Sequence, residues 1–122
     1  MAIRVDIVQL SGNNFINIGT EDVKSLIVTN TDTETITLDV IIGASSLAGG
    51  TATTNAIHIL KSVEITVGAA FIWEGDRVLD SVFKPKAILN KHNGSAFVAF
   101  TGQTYLIRVG SGHTADVIIK RK

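Results

Sequence analysis

Three histidines, His58, His92 and His113, are the side chains best suited to hold a metal or to move a proton, and they are widely separated along the chain. No H-E-x-x-H pair or comparable spacing places two of them on one local element. A metal site would have to be assembled in three dimensions, and separate surface or loop histidines are the simpler expectation. The chain has no cysteine, which excludes a disulfide scaffold, a thiolate zinc site and a cysteine nucleophile. Serine chemistry lacks its local setting too: no G-x-S-x-G elbow occurs, and the Gly-rich "GASSLAGGTATT" does not end in the Gly-Lys-Ser/Thr of a phosphate loop. Glu74, Asp76 and Asp80 in "WEGDRVLD" lie near one another, the kind of carboxylate group that binds calcium or works as an acid and base pair. Their spacing fits no EF-hand, and a turn with an exposed ion pair around Asp76 and Arg77 is the commoner use of such residues. No catalytic residue, cofactor site or metal ligand set is assigned from the sequence.

Binding candidates are better represented. Trp73 and Tyr105 carry faces able to stack on a sugar ring, although aromatic residues make up only 6% of the chain and form no evident platform. Trp73 equally suits a core or a protein interface, since large aromatics dominate both. Ser45, Ser46 and Leu47 belong to a loop of small residues, "GASSLAGGTATTN" at 43–55, and the closing "IIKRK" ends in Lys120, Arg121 and Lys122. These seven residues, Ser45, Ser46, Leu47, Trp73, Lys120, Arg121 and Lys122, are the candidate partner contacts. Asn93-Gly94-Ser95 matches a glycosylation sequon but reads as a tight turn.

The whole chain of 122 residues is the size of one domain, and at that length roughly two thirds of the unfolded surface can be buried. Hydrophobic residues make up 45% and there is one proline, a composition that folds. Eleven basic residues balance eleven acidic ones, so nothing draws the chain to nucleic acid or to an anionic membrane. The opening "MAIRVDIVQL" has Arg4 and Asp6 inside its apolar stretch, and it reads as neither a signal peptide nor a membrane span.

About a third of the residues are Val, Ile or Thr, whose branched side chains suit a pleated surface. Ile36, Leu38, Val40 and Ile42 alternate with Thr35, Thr37 and Asp39, and Ile41 interrupts the pattern. The same period of two runs through Ile3, Val5 and Ile7, through Val63, Ile65 and Val67, through Tyr105, Ile107 and Val109, and through Ala115, Val117 and Ile119. Turn residues divide these runs at short intervals. The expected fold is all-β: a single antiparallel β-sandwich of about eight strands, jelly-roll or immunoglobulin-like, spanning residues 1–122. "TNTDTET" reads as a hairpin joining a strand at 26–29 to its antiparallel neighbour at 34–40, with Asn30 and Asp32 bonding to their own turn. Four runs are apolar on both faces: "SLIV" at 25–28, "VII" at 40–42, "AAFIW" at 69–73 and "VII" at 117–119. One face enters the core; the other needs a cover, either another chain or the long loops at 43–55 and 80–95.

The order of segments resembles a family of small structural proteins found in virions of tailed bacteriophages, especially those infecting marine bacteria and cyanobacteria. The matching residues are Phe15 to Gly19, then "VKSLIVTNTDTETITLDVII" from Val23, the strand with Leu60, Lys61, Val63, Ile65 and Gly68, and the closing "GQTYLIRVGSGHTADVIIKRK". Two departures are visible: "IGTED" stands at 18–22 where the family has a V-P-A-G turn, and the stretch 80–99 is longer than usual. The resemblance implies a non-enzymatic virion protein made in the host cytoplasm, a capsid decoration or cement protein bound to the major capsid protein or other virion proteins. The strands apolar on both faces point to a homo-oligomer, with a trimer favoured, and the balanced charge to no nucleic-acid or membrane partner. The alternatives are a neck or tail component and a glycan-binding or receptor-binding module of a tail fibre. A small hydrolase on the same scaffold is the least supported reading, for want of a legible site.

Overall fold

A computed structural model describes residues 4–21, 23–74, 89–110 and 112–121. The described strands, in chain order, are β1 (Val5–Ser11), β2 (Ile16–Gly19), β3 (Val23–Asn30), β4 (Ile36–Ala44), β5 (Ile57–Ile65), β6 (Ala70–Glu74), β7 (Asn90–His92), β8 (Phe97–Ala99), β9 (Gln103–Val109) and β10 (Thr114–Arg121). One 3-10 turn, Ser45–Leu47, follows β4. The protein is all-β, and the strands pair antiparallel in three sheets: β1-β10-β3-β6, β2-β9-β4-β5 and the small hairpin β7-β8. Eight strands fall in the two larger sheets, and β7 and β8 add a pair beyond the expected number. No helix among the described residues is long and apolar enough to cross a membrane.

Alternation puts one face of each larger sheet into a shared core. Leu10, Leu26, Val28, Ala115, Val117 and Ile119 from one sheet join Ile36, Leu38, Val40, Ile42, Tyr105, Ile107 and Val109 from the other in a single buried cluster. Each aliphatic side chain removed from water there contributes roughly 1.5–3 kcal/mol before the entropy cost of ordering it.

Two expectations need correction. The period of two in β1 is present, but its facing is reversed: Val8 and Leu10 turn to the core, while Val5 and Ile7 are exposed, Ile7 to 71%. Asp6 shares the inward side of the strand, which a buried cation makes tolerable, as described below. The second correction concerns "TNTDTET". β3 pairs with β10 and β6, and β4 pairs with β5 and β9, so residues 31–35 cross between sheets and do not close a hairpin. Asn30, 3% exposed, holds this crossing: its Nδ2 donates to the carbonyls of Glu34 (2.8 Å) and Ile65 (2.9 Å), and its Oδ1 accepts from Asp32 N–H (2.8 Å). The expected turn chemistry of Asn30 and Asp32 is present, in a different turn.

Candidate interaction surfaces

The two larger sheets treat their outward faces differently. On β2-β9-β4-β5, Ile41, the residue that breaks the alternation of β4, points away from the main core and is buried with Phe15 and Leu106. Leu47 and Ala56, from the connection between β4 and β5, pack onto this trio. Backbone bonds stitch the connection down: Phe15 N–H donates to Gly50 O (2.9 Å) and Gly49 N–H to Phe15 O (2.8 Å). Arg108 lies 4.3 Å above the Phe15 ring centre and donates from Nη1 to Thr51 O (2.9 Å) and from Nε to Asp39 Oδ2 (2.9 Å). Asp39 sits beside a β-bulge in which Lys61 and Ser62 together oppose it. Its Oδ1 accepts the N–H of Ser62, whose φ is 51° (2.7 Å). The loop at 43–55 thus covers its own sheet. Ser45 and Ser46 remain exposed at its crest, and Leu47 is turned inward as the plug.

The outward face of β1-β10-β3-β6 carries an apolar row that no other described residue covers; the part of the 80–95 loop at 80–88 lies outside the described residues. Register places Ile7 opposite Ile118, Ile118 opposite Ile27 and Ile27 opposite Ile72, so four isoleucines cross the whole sheet at one level. Ile7, Ile118 and Ile72 are 71%, 40% and 58% exposed. The row on one side is Val5, Lys120, Ser25 and Glu74; on the other it is Gln9, Asp116, Thr29 and Ala70. Three of the runs noted as apolar on both faces, those in β3, β6 and β10, supply Ile27, Ile72 and Ile118. The fourth member, Ile7, lies outside those runs, and the alternation of β1 read alone places Val5 and Ile7 inward. The signal that identifies it is Asp6, since an inward Val5 and Ile7 leaves Asp6 outward and Arg121 without its anion.

The C-terminal basic residues divide. Arg121 is 3% exposed and donates from Nε to Asp6 Oδ2 (2.7 Å), from Nη1 to Glu21 O (3.0 Å) and from Nη2 to Ile18 O. Its guanidinium is an internal clasp and not part of a solvated tail. Lys120 is exposed on the outward face, and Lys122 lies outside the described residues. Arg4 adds a second cation on Asp6 (Nη2 to Oδ2, 2.8 Å) and reaches Glu21 Oε1 (2.7 Å). Arg4 first, and Arg121 with it, holds the Asp6 carboxyl below the usual aspartate range.

Tyr105 is fully buried in the core, so its ring is not available to stack on a sugar. Trp73 is half-buried on β6, faces the core cluster and meets Phe71 edge to face at 6.1 Å. Its Nε1 has no hydrogen-bond partner among the described residues, and with Leu60, Phe71, Ile72 and Glu74 it lines an open cleft of about 310 Å³. Asp76 and Asp80 lie outside the described residues. His58 is exposed on β5, His92 meets Phe97 edge to face at 4.9 Å in the β7-β8 hairpin, and His113 Nδ1 lies 3.3 Å from Asp32 Oδ2. No three or more metal-ligating side chains cluster among the described residues. Asn93 sits in the β7-β8 turn, where its Oδ1 accepts from the N–H groups of Ser95 and Ala96. No protein-family model, curated protein or solved structure matches the chain.

Proposed function

We propose that this chain is a non-enzymatic virion structural protein, a capsid decoration or cement protein that stabilises a phage head through contacts with capsid subunits and with copies of itself. The observation that carries the reading is the strand order. Successive described strands alternate between β1-β10-β3-β6 and β2-β9-β4-β5, with β4 and β5 the one consecutive described pair that stays within a larger sheet. That order supports a jelly-roll sandwich of two Greek keys, with β7-β8 as an insertion, over the immunoglobulin alternative. Jelly rolls build viral capsid and lectin domains, which agrees with the sequence resemblance. Fold alone does not assign function; the outward surfaces support binding over chemistry, because the histidines are held apart and a large apolar row is displayed. Of the candidate contacts, Ser45, Ser46 and Lys120 are exposed, and Trp73 is half-buried. A protein that binds only the assembled shell stabilises it by mass action.

A second reading, a neck or tail component or a glycan-binding or receptor-binding module of a tail fibre, is favoured in its binding form by one feature, the aromatic cleft at Trp73. Immunogold electron microscopy of intact virions of the phage that encodes the protein separates the readings. Label distributed over the head is the expected result. Label at the neck, tail or fibre tips transfers the assignment to the second reading, and unlabelled intact particles overturn both.

A further inference from the structure

We propose that the outward face of β1-β10-β3-β6 is a self-association surface that closes a two-fold dimer, with the isoleucine rows of two copies stacked and Lys120 of each copy paired with Asp116 of the other. It names the self-contact within the function proposed above, yet its support comes from the sheet itself and it is tested on the isolated protein.

The register supplies the symmetry. Ile7, Ile118, Ile27 and Ile72 lie in one row perpendicular to the strands. A two-fold axis along that row stacks the two sheets face to face, leaves each isoleucine row on its counterpart and exchanges the flanking rows. Lys120 and Asp116 both lie on β10, one on each side of Ile118. The exchange therefore sets Lys120 of one copy over Asp116 of the other, twice. The remaining matches are Val5 with Gln9, Ser25 with Thr29 and Glu74 with Ala70, which bring no like charges together. An axis along the strands instead sets Val5 against Glu74 and pairs Lys120 with Ser25, and so forfeits both ion pairs. Asp116 Oδ1 already accepts from Gln9 Nε2 on the neighbouring strand (3.3 Å), which orients the carboxylate. An isologous contact of this kind closes at two copies, where a trimer needs two different complementary patches.

Chemistry and extent also favour a second copy. Contiguous apolar patches of a few hundred Å² on a protein surface often mark an interaction site, and this chain covers the equivalent face of its other sheet with Leu47. Four strands at ordinary spacing and about six residues of rise give a flat footprint of roughly 400 Å². Two such faces bury roughly 800 Å² in all, below the standard specific interface and in the range of weak, transient association. Face-to-face sheets about 10 Å apart with near-aligned strands already have the geometry of sandwich packing.

Sedimentation velocity and equilibrium on the full chain, from about 1 to 500 μM, test this. The expected result is a concentration-dependent monomer to dimer transition. Ile7→Lys, at an exposed edge position, raises the dissociation constant at least about tenfold while leaving the urea midpoint of the monomer unchanged. Lys120→Asp and Asp116→Lys each weaken the dimer about tenfold by opposing like charges, and the double exchange restores it to within about threefold. A protein monomeric at 500 μM, a trimer mass, a dimer indifferent to Ile7→Lys, or a double exchange that restores nothing each overturns the proposal. Failure here leaves the head-binding proposal to the immunogold result, and unlabelled particles leave this dimer untouched.

Discussion

Arg121 Nε meets Asp6 Oδ2 at 2.7 Å across 115 residues of chain, and the same guanidinium bonds to the carbonyls of Ile18 and Glu21. One buried side chain near the end of β10 therefore ties down β1 and the β2 to β3 connection. It also fixes which face of β1 turns inward.

Replacing that clasp separates two neighbours that look alike in sequence. Arg121→Ala leaves two carbonyls and a carboxylate short of a donor and costs roughly 1–3 kcal/mol. Lys120→Ala, at an exposed site, stays within about 0.5 kcal/mol when measured at a concentration where the chain is monomeric. Urea unfolding midpoints of the two variants check the difference; equal midpoints contradict the clasp.

Acid should weaken the fold through two identified carboxyls. Asp6 is held low by Arg4 and Arg121. At Asp32, burial pulls the pKa upward, but the N–H groups of Thr33 and Thr114 and the His113 side chain outweigh it and hold the carboxyl low. Both titrate lower in the folded protein than in the unfolded chain, so their stabilisation is complete above the unfolded value of about 4 and is lost as pH falls through the folded values. Urea midpoints measured from pH 7 to pH 2 should fall below about pH 4, and Asp6→Asn and Asp32→Asn should each flatten that decline. A decline equally steep in both variants assigns the acid sensitivity elsewhere.

Asn30 offers a test with an internal control. Asn30→Asp places a carboxylate where two donors face the carbonyls of Glu34 and Ile65, so the variant is destabilised at neutral pH. Here the folded pKa lies above the unfolded one, because only the protonated acid has a hydrogen to donate. The penalty therefore shrinks as pH falls through the folded value toward about 4. A midpoint difference from the parent that is unchanged between pH 7 and pH 4 removes this account of Asn30.

Gly43 makes room for the plug of the β4 to β5 loop: a Cβ there would lie 2.7 Å from Leu47 Cδ1. Gly43→Ala should push Leu47 off Ile41 and Leu106 and raise the rate of limited proteolysis within 45–56 by about fivefold, in line with a loss near 1 kcal/mol. Leu47→Ala should do the same by removing the plug. In the double variant the clash is gone, so its rate should match Leu47→Ala alone; additive rates would show that Gly43 acts through a different neighbour.

Local patterning made much of this molecule legible. The alternation in β4, β9 and β10 and the turn residues between runs specify strands because both signals depend on a few adjacent residues. Ile41 was visible as the exception in its strand, and the structure gives its reason, the second small cluster with Phe15 and Leu106. Facing and pairing depend on distant residues, and there the local pattern is silent. In β1, Val5 and Ile7 are as apolar as Val8 and Leu10, so alternation offers two equivalent facings, and only Arg121 waiting inside makes Asp6 the inward choice. "TNTDTET" has the same turn chemistry in a hairpin and in a crossing; the bond from Asn30 to Ile65 O, 35 residues on, belongs to the crossing alone. The isoleucine row exists in no single segment. Ile7, Ile27, Ile72 and Ile118 become one surface because four strands pair in register, a relation created by long-range hydrogen bonding and shape, which composition and period along the chain do not encode.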